Sequence, residues 1–432
     1  MSRFSARQLL LTITLILLTV AAVFIFRKPL PKPPPPVTKP TAAQPPATHS
    51  VLAEPPDWSA LDAFQNTISR EEFERLLTTV FTTGQAWKNF IEIGETEASI
   101  KTGELPPADV FHLHFATSAS IKAPSLWKTA ADLPPTTQEK PLADLKIAID
   151  PGHIGGAWAK MEERWFVVGD GNPVCEGDMT LHVAEILKPK LEALGATVSL
   201  VRDKAEPVTT VRPEALLSIA NETKSPASPE SPQKLAERLF YRTAEIHARA
   251  KLVNESLKPD LVLCLHFNAE AWGDPNKPTL IDHTHLHLLV NGAYSDDEVS
   301  LADQRFALLH KLLQRTHPEE IEIGSSIASS FAEATGLPPY QYPPDSLNVR
   351  QIPNQPYLWA RNLLANRLYH CPTIFMEPYV MNSTIDYARI QAGDYSGLRE
   401  IGGKKVPSIF REYADAATAG LANHYRALRR TR

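Results

Sequence analysis

Three cysteines in 432 residues are too few for a disulfide framework. They allow one bridge at most, and buried free thiols are the commoner outcome for Cys175, Cys264 and Cys371. Charge of one sign is also scarce. Lys and Arg total 44 against 49 Asp and Glu, and the net charge of −5 gives no electrostatic case for nucleic acid as a partner. Long apolar runs are nearly absent, and the exception is informative. Leu9–Phe26 is uncharged and mostly apolar, with Arg3 and Arg7 before it and Arg27 and Lys28 after. As a helix it would span about 27 Å, close to the roughly 30 Å of a bilayer core. No small-residue cleavage site follows, so residues 1–28 are expected to be a retained transmembrane signal anchor, with the rest exported.

Composition then divides the chain. Residues 29–56 hold eleven prolines and no apolar periodicity. This reads as a semi-rigid linker reaching up to about 90 Å at ~3.1 Å per residue. Residues 57–140 read as a small α+β module of unknown role. Ser69-Arg70-Glu71-Glu72 is a capping-box pattern opening a helix through Leu76, Leu77 and Val80. Alternating segments near 90–100 and 110–115 read as strands. Residues 141–432 carry the chemistry, with insertions near 203–234 and 306–350. The stretch 221–233, rich in Ser, Pro, Glu and Lys, is expected to be a surface loop. The last segment, 408–432, reads as a helix whose Arg426, Arg429 and Arg430 suit its negative end. The fold class expected is α/β, a mostly parallel central sheet flanked by helices, with the small α+β module and the anchor preceding it.

Four polar groups stand at or beside the ends of expected core elements. The apolar run Ile147-Ala148-Ile149 leads into Asp150-Pro151-Gly152-His153-Ile154-Gly155-Gly156. That places His153 just past a strand's C-terminal end, the edge where open α/β sheets bind ligands. Glu176 precedes a helix whose Val183, Leu187, Leu191 and Leu194 form one apolar stripe. A strand over 197–202 completes a βαβ unit. The buried run Leu261–Leu265 ends in His266, and Thr373–Met376 runs into Glu377. Two imidazoles and a carboxylate are a standard three-ligand set for catalytic zinc, with the fourth position left to water. A further carboxylate within reach takes and returns a proton. This gives His153, Glu176 and His266 to Zn2+ and Glu377 to acid/base work. Glu162 or Glu163 is an alternative to Glu176, and Cys175 could compete beside it. His283, His285 and His287 alternate on one expected strand face, as a polar face, substrate contacts or a second metal site.

In this order the motifs resemble the zinc-dependent N-acetylmuramoyl-L-alanine amidases of the type-3 family, over roughly residues 144–428. Those open with a strand and a DPGHGG-like turn, continue with a Glu at a helix start and an S-x-H-x-N strand end, and close with E-x-G-F-x-x-N. His153, Glu176 and His266 match the family's zinc ligands and Glu377 its catalytic glutamate; the Arg249–Asn254 segment sits where the family often has an Arg-plus-Asn helix. The departures are Ile154 inserted before the glycine pair, a longer His153–Glu176 spacing, Cys264 for a serine, Pro378-Tyr379 for Gly-Phe, and Asn382 one residue early. The resemblance implies hydrolysis of the muramoyl–L-alanine bond of peptidoglycan, in the periplasm of a bacterial cell envelope, with the inner membrane reached through the N-terminal helix. In cell-division members an inserted helix covers the zinc until a partner moves it. Either insertion, near 203–234 or 306–350, is expected to act likewise, which adds an activator protein to the partners. A zinc peptidase of stem peptides and a degenerate wall-binding protein are the other readings.

Overall fold

The protein was analysed as a computed structural model that describes residues 48–103, 109–117 and 123–429. The expected anchor and most of the linker lie outside the described residues. Among the described residues no helix is long and apolar enough to cross a membrane.

Seven strands make the central sheet: β1 (Lys146–Pro151), β2 (Thr197–Leu200), β3 (Leu261–Leu265), β4 (Leu286–Val290), β5 (Val349–Gln351), β6 (Leu358–Arg361) and β7 (Thr373–Pro378). Their order across the sheet is β5-β6-β4-β7-β3-β1-β2. The β1–β2, β1–β3, β3–β7 and β4–β6 pairs are parallel, while β4–β7 and β5–β6 run antiparallel. The sheet is therefore mixed with a parallel majority. Every residue of β3 and β4 is buried, as expected for strands covered on both faces.

Register fixes the functional edge. Pro151 lies opposite Leu265, and Leu265 opposite Met376. The next residues of the three parallel strands, Gly152, His266 and Glu377, therefore stand level at their C-terminal ends. On one face lies the Glu176–Ala193 helix, burying Val183, Leu187 and Leu191 against the sheet. Beside it, the Thr316–Thr335 and Ile409–Leu428 helices cross closely at Gly420. A Cβ there would meet Ile327 Cα at 2.4 Å, so the crossing needs glycine. Arg426 and Arg429 donate to carbonyls of Gln138, Pro141 and Ala143, tying the C-terminal helix to the approach to β1.

The segment after residue 57 takes the expected form. Ser69 caps the Arg70–Leu76 helix through the Glu72 amide, and an antiparallel sheet of Ile91–Ile93, Glu97–Lys101 and Val110–His114 follows. Its core is not closed by its own residues, however. Phe64, Phe73, Leu77 and Ile100 pack with Leu308, Leu309, Leu312 and Leu313 of the Ala302–Gln314 helix. Residues 47–432 accordingly form one compact unit. The helices expected as a movable insertion are thus core elements: 302–314 completes that smaller core, and 316–335 packs on the sheet through Ile323, Ile327 and Phe331. Lifting either off the site would expose those apolar faces, which argues against the expected gating. The 221–233 loop is also shorter than its composition suggests, because helices run to Thr223 and resume at Pro232, capped by Ser231.

Several histidines are buried in this core. Burial, with His370 and Lys311 nearby, lowers the pKa of His310 to about 3, and burial lowers His317 to about 4. Unfolded histidine titrates near ~6.5, so across the interval down to about 4 the unfolded chain binds more protons. Stability is therefore present above pH ~6.5 and lost as pH falls, by up to about 1.4 kcal/mol per unit for each such group. The thermal midpoint should drop between pH 6.5 and 4, and His310→Phe, which keeps the ring packing on Phe306, should make that drop shallower. An unchanged pH slope in the variant would refute the assignment.

Candidate active site

The turn after β1 is built to hold His153 in an unfavourable backbone conformation. His153 has φ 58°, and Gly155 and Gly156 follow at 78° and 53°. Several peptide groups of the turn have fixed partners. The Glu162 carboxylate accepts from the Ile154 and Gly155 amides at 2.9 and 3.0 Å, and Asp178 accepts from Gly156 at 2.7 Å. Thr180 donates its hydroxyl to the Gly152 carbonyl at 2.7 Å. Arg249 donates to the carbonyls of Pro151 and His153 at 2.9 and 2.8 Å while pairing with Asp150 and Glu245.

Glu176 is the first residue of its helix, with Cys175 at the cap position. A carboxylate there meets the positive end of the helix dipole. It is only 2% exposed, and its two oxygens reach in different directions. One lies 3.1 Å from His153 Nε2 and the other 3.1 Å from His266 Nδ1. The second also accepts from the Phe267 amide at 3.2 Å, and Arg164 Nε approaches the first at 3.3 Å. The His153 and His266 rings stand nearly perpendicular, centroids 5.1 Å apart, and His266 stacks on Phe375.

These three residues are the one group of His, Cys, Asp and Glu among the described residues whose donor atoms converge as a metal site, all within 4.8 Å of one another. The donor chemistry fits zinc. Ligands at about 2.0–2.1 Å in a tetrahedron stand about 3.3 Å apart; each histidine lies 3.1 Å from a different Glu176 oxygen, in a group of donors within 4.8 Å of one another. Glu162 Oε1 lies 3.6 Å from His153 Nδ1, so it faces the nitrogen turned away from the cluster and orients the ring. Without a cation, burial lowers the His153 pKa, but the Glu176 and Glu162 carboxylates outweigh it and raise it to about 9.

Glu377 sits one residue before the end of β7, with its side chain partly covered and lining the same cleft. Burial raises its pKa; His266 opposes that and Glu176 adds to it. A carboxylate poised this way can take and release a proton. Pro378 and Tyr379 follow Glu377. Proline closes the strand, and Tyr379 takes φ 63° while its hydroxyl donates to Glu412 at 2.8 Å. Asn382, fully buried, accepts from the Glu270 amide and donates to the Thr279 carbonyl, which organises the loop after His266.

The competing candidates stand elsewhere. Glu163 is exposed and pairs with Lys234. The Cys175 thiol, pushed up to about 12 by burial and by Asp178, stays protonated and outside the cluster, and all three cysteines are free. His285 and His287 are buried at the start of β4, whereas His283 is 58% exposed, so the three do not converge as metal ligands. His285 and His287 instead pack against Tyr340, and the Tyr342 hydroxyl lies 3.3 Å from His287 Nε2.

Arg164 and the turn-clamping role of Glu162 had no signal in the sequence, because both depend on the strand pair Trp165–Phe166 and Val174–Cys175 that fills the long His153–Glu176 interval. The cleft over the site holds about 460 Å³ and includes Asn268, Glu270, Trp272 and Arg361.

No family model matches the chain, and no curated protein matches it. Solved structures do. One is the N-acetylmuramyl-L-alanine amidase Ami1 from Mycobacterium smegmatis, at 16% identity and TM-score 0.37, covering 66% of this chain and 99% of that one. A second is the CwlD amidase from Clostridioides difficile in complex with the GerS lipoprotein, at 13% identity and TM-score 0.36, covering 65% and 98%. A third is the N-acetylmuramoyl-L-alanine amidase AmiC2 of Nostoc punctiforme, at 14% identity and TM-score 0.33, covering 65% and 97%.

Gly152 tests the geometry. A Cβ there would stand 2.3 Å from His266 Cε1, inside the imidazole. Gly152→Ala should therefore push His266 out of the cluster and weaken zinc binding by at least about tenfold, as loss of ligand orientation does. Zinc titration by calorimetry, beside a circular dichroism spectrum confirming the fold, reads this out. Wild-type zinc affinity in the variant would show that the three residues do not act together.

Proposed function

We propose that the chain is a zinc-dependent hydrolase of the amide bond between N-acetylmuramic acid and L-alanine in peptidoglycan. The observation that carries this reading is the level arrangement of Gly152, His266 and Glu377 on three parallel strand ends, with Glu176 bridging His153 and His266 beside them. That arrangement unites three metal donors and a separate acid/base in one cleft. The choice of bond comes from the motif resemblance, since the residues alone argue for metal-assisted amide hydrolysis.

His153, Glu176 and His266 would hold the zinc, which when bound polarises the scissile carbonyl and lowers the pKa of a water. The remaining steps belong to the protein. Glu377 takes the proton of the attacking water and returns it to the alanine nitrogen as the bond breaks. Partial burial suits this, because a carboxylate with a raised pKa is a stronger base than an ordinary one. Glu162 keeps His153 turned toward Glu176, and Arg249 keeps the turn in place. The site is in the envelope, held to the inner membrane by the 1–28 segment with the proline-rich stretch as a tether to the wall. The activator implied by the resemblance is not assigned to the 306–350 insertion, whose helices belong to the core.

The full-length chain, purified with zinc, should release peptides with a free N-terminal alanine from purified peptidoglycan, as read by mass. Chelator should abolish release and zinc restore it. Glu377→Gln should keep its zinc and lose about 10²–10⁴ in rate, the usual worth of a general base. Peptides cut internally would make the protein a stem-peptide peptidase. Bound zinc without any release would end the hydrolase reading in favour of a wall-binding protein.

A further inference from the structure

The cleft does not end at the four site residues. His153, Arg164, His266, Arg361 and Glu377 line two cavities that meet over the site, of about 460 and 350 Å³. The two ends differ in chemistry. One leads past Trp272 and Gly273, which it shares with a further hollow lined by Trp165 and Asn276. The other leads past Arg242 and Tyr241, and Arg361 stands where the two meet.

Arg361 is the last residue of β6 and is partly buried. Its guanidinium lies 5.9 Å from the centre of the Tyr342 ring, and Nη1 lies 3.4 Å from the Tyr342 hydroxyl. Both are neutral partners. Among the described residues no carboxylate lies within ion-pair distance of it, whereas Arg249 pairs with Asp150 and Glu245, Arg389 with Glu412, and Arg315 with Glu72. Arg242 in the same end rests on the Tyr241 ring and is likewise without an acidic partner in the described residues. A planar fork, held on an aromatic face and facing an open cleft, is suited to a bidentate carboxylate. The buried His287 ring beside it carries no competing charge, since burial, His285 and Arg361 lower its pKa to about 3.

We propose that the Arg361–Arg242 end of the cleft is a carboxylate subsite that receives the peptide half of the substrate, leaving the tryptophan-lined end to the sugar. This rests on the reading of the substrate as a muramoyl peptide, and it deepens it. The leaving peptide carries free carboxylates beyond its first residue, whereas the sugar side of the scissile bond carries none nearby. Arg361 thereby sets which way the substrate lies across Glu377. It also makes the enzyme distinguish a peptide whose second residue keeps its free carboxylate from one in which that group is an amide.

The test uses the zinc-loaded full-length chain and two synthetic muramoyl tripeptides that differ only in that carboxylate or amide. Wild type should favour the acid. Arg361→Gln should lower kcat/KM on the acid by about 10- to 100-fold, through KM, as expected for a lost charge-assisted pair. It should leave the amide within about twofold, and Arg361→Lys should recover part of the loss. Arg242→Gln should act in the same direction and more weakly. Equal loss on both substrates, or loss confined to kcat, would overturn the subsite. Binding separates this from the hydrolase reading. The free acid peptide should bind Glu377→Gln in calorimetry, and adding Arg361→Gln should abolish that binding with an unchanged thermal midpoint. Arg361-dependent binding without turnover of either substrate by wild type would sink the hydrolase and keep the subsite. Turnover with acid and amide binding alike would do the reverse.

Discussion

The structure of the site depends on one buried cation. Arg249 is 1% exposed and makes bonds to Asp150, Glu245 and two carbonyls of the turn. Asp150 is fixed in turn by the Tyr369 hydroxyl at 2.5 Å, and Glu245 by the amides of Val208 and Thr209. A left-handed non-glycine residue such as His153 costs about 1–3 kcal/mol and persists only when its surroundings over-determine it. Charge-assisted bonds to that turn, each of about 1.5–3 kcal/mol, are of the size to hold it. The balance is fragile in one direction. Removing both Asp150 and Glu245 would strand a buried guanidinium, which is costlier than replacing the whole network by apolar groups.

The carboxylates around the candidate ligands are set by their neighbours. Glu162 and Glu176 are both buried, and each accepts from backbone amides as well as facing histidine: Ile154 and Gly155 for the first, Phe267 for the second. Burial would raise both, and the imidazoles, His153 for Glu162 and His153 with His266 for Glu176, hold them low. Glu377 differs. Among the described residues no amide donates to its carboxylate, and burial leaves its pKa raised where the other two are lowered. The three acids are thus set apart by their neighbours, two held low and one raised.

The parts of this arrangement set by short-range chemistry were legible in the sequence. A strand must end before Pro151-Gly152, a helix must begin after Cys175, and β3 and β7 are too uniformly apolar to be anything but covered strands. The four candidate site residues stand at those ends. What was not legible depends on distant packing. Ile154, an apparent intrusion in the turn, is fully buried against Leu235, Leu239 and Phe240, so the 203–244 segment and the turn were shaped together. The 302–314 helix looked like an insertion because its partner surface, the Phe64–Ile100 core, lies some two hundred residues earlier. The alternating histidines left a metal site open because periodicity puts residues on one face and says nothing about convergence.

The segment between β2 and β3 therefore has two duties that cannot be varied independently. Its inner side supplies Arg249 and Glu245 to the turn, and Tyr241 and Arg242, one helical turn earlier, line the arginine end of the cleft. The backbone runs helically through both with no break in between, so a shift of the segment along its axis would move the cleft wall and the His153 turn together. Glu245 anchors it against such a shift through the Val208 and Thr209 amides. Sequence change on the exposed side, where Arg242 sits, is free of the core. Change on the buried side is not, and the ability to hold the ligand turn would be lost before the fold itself.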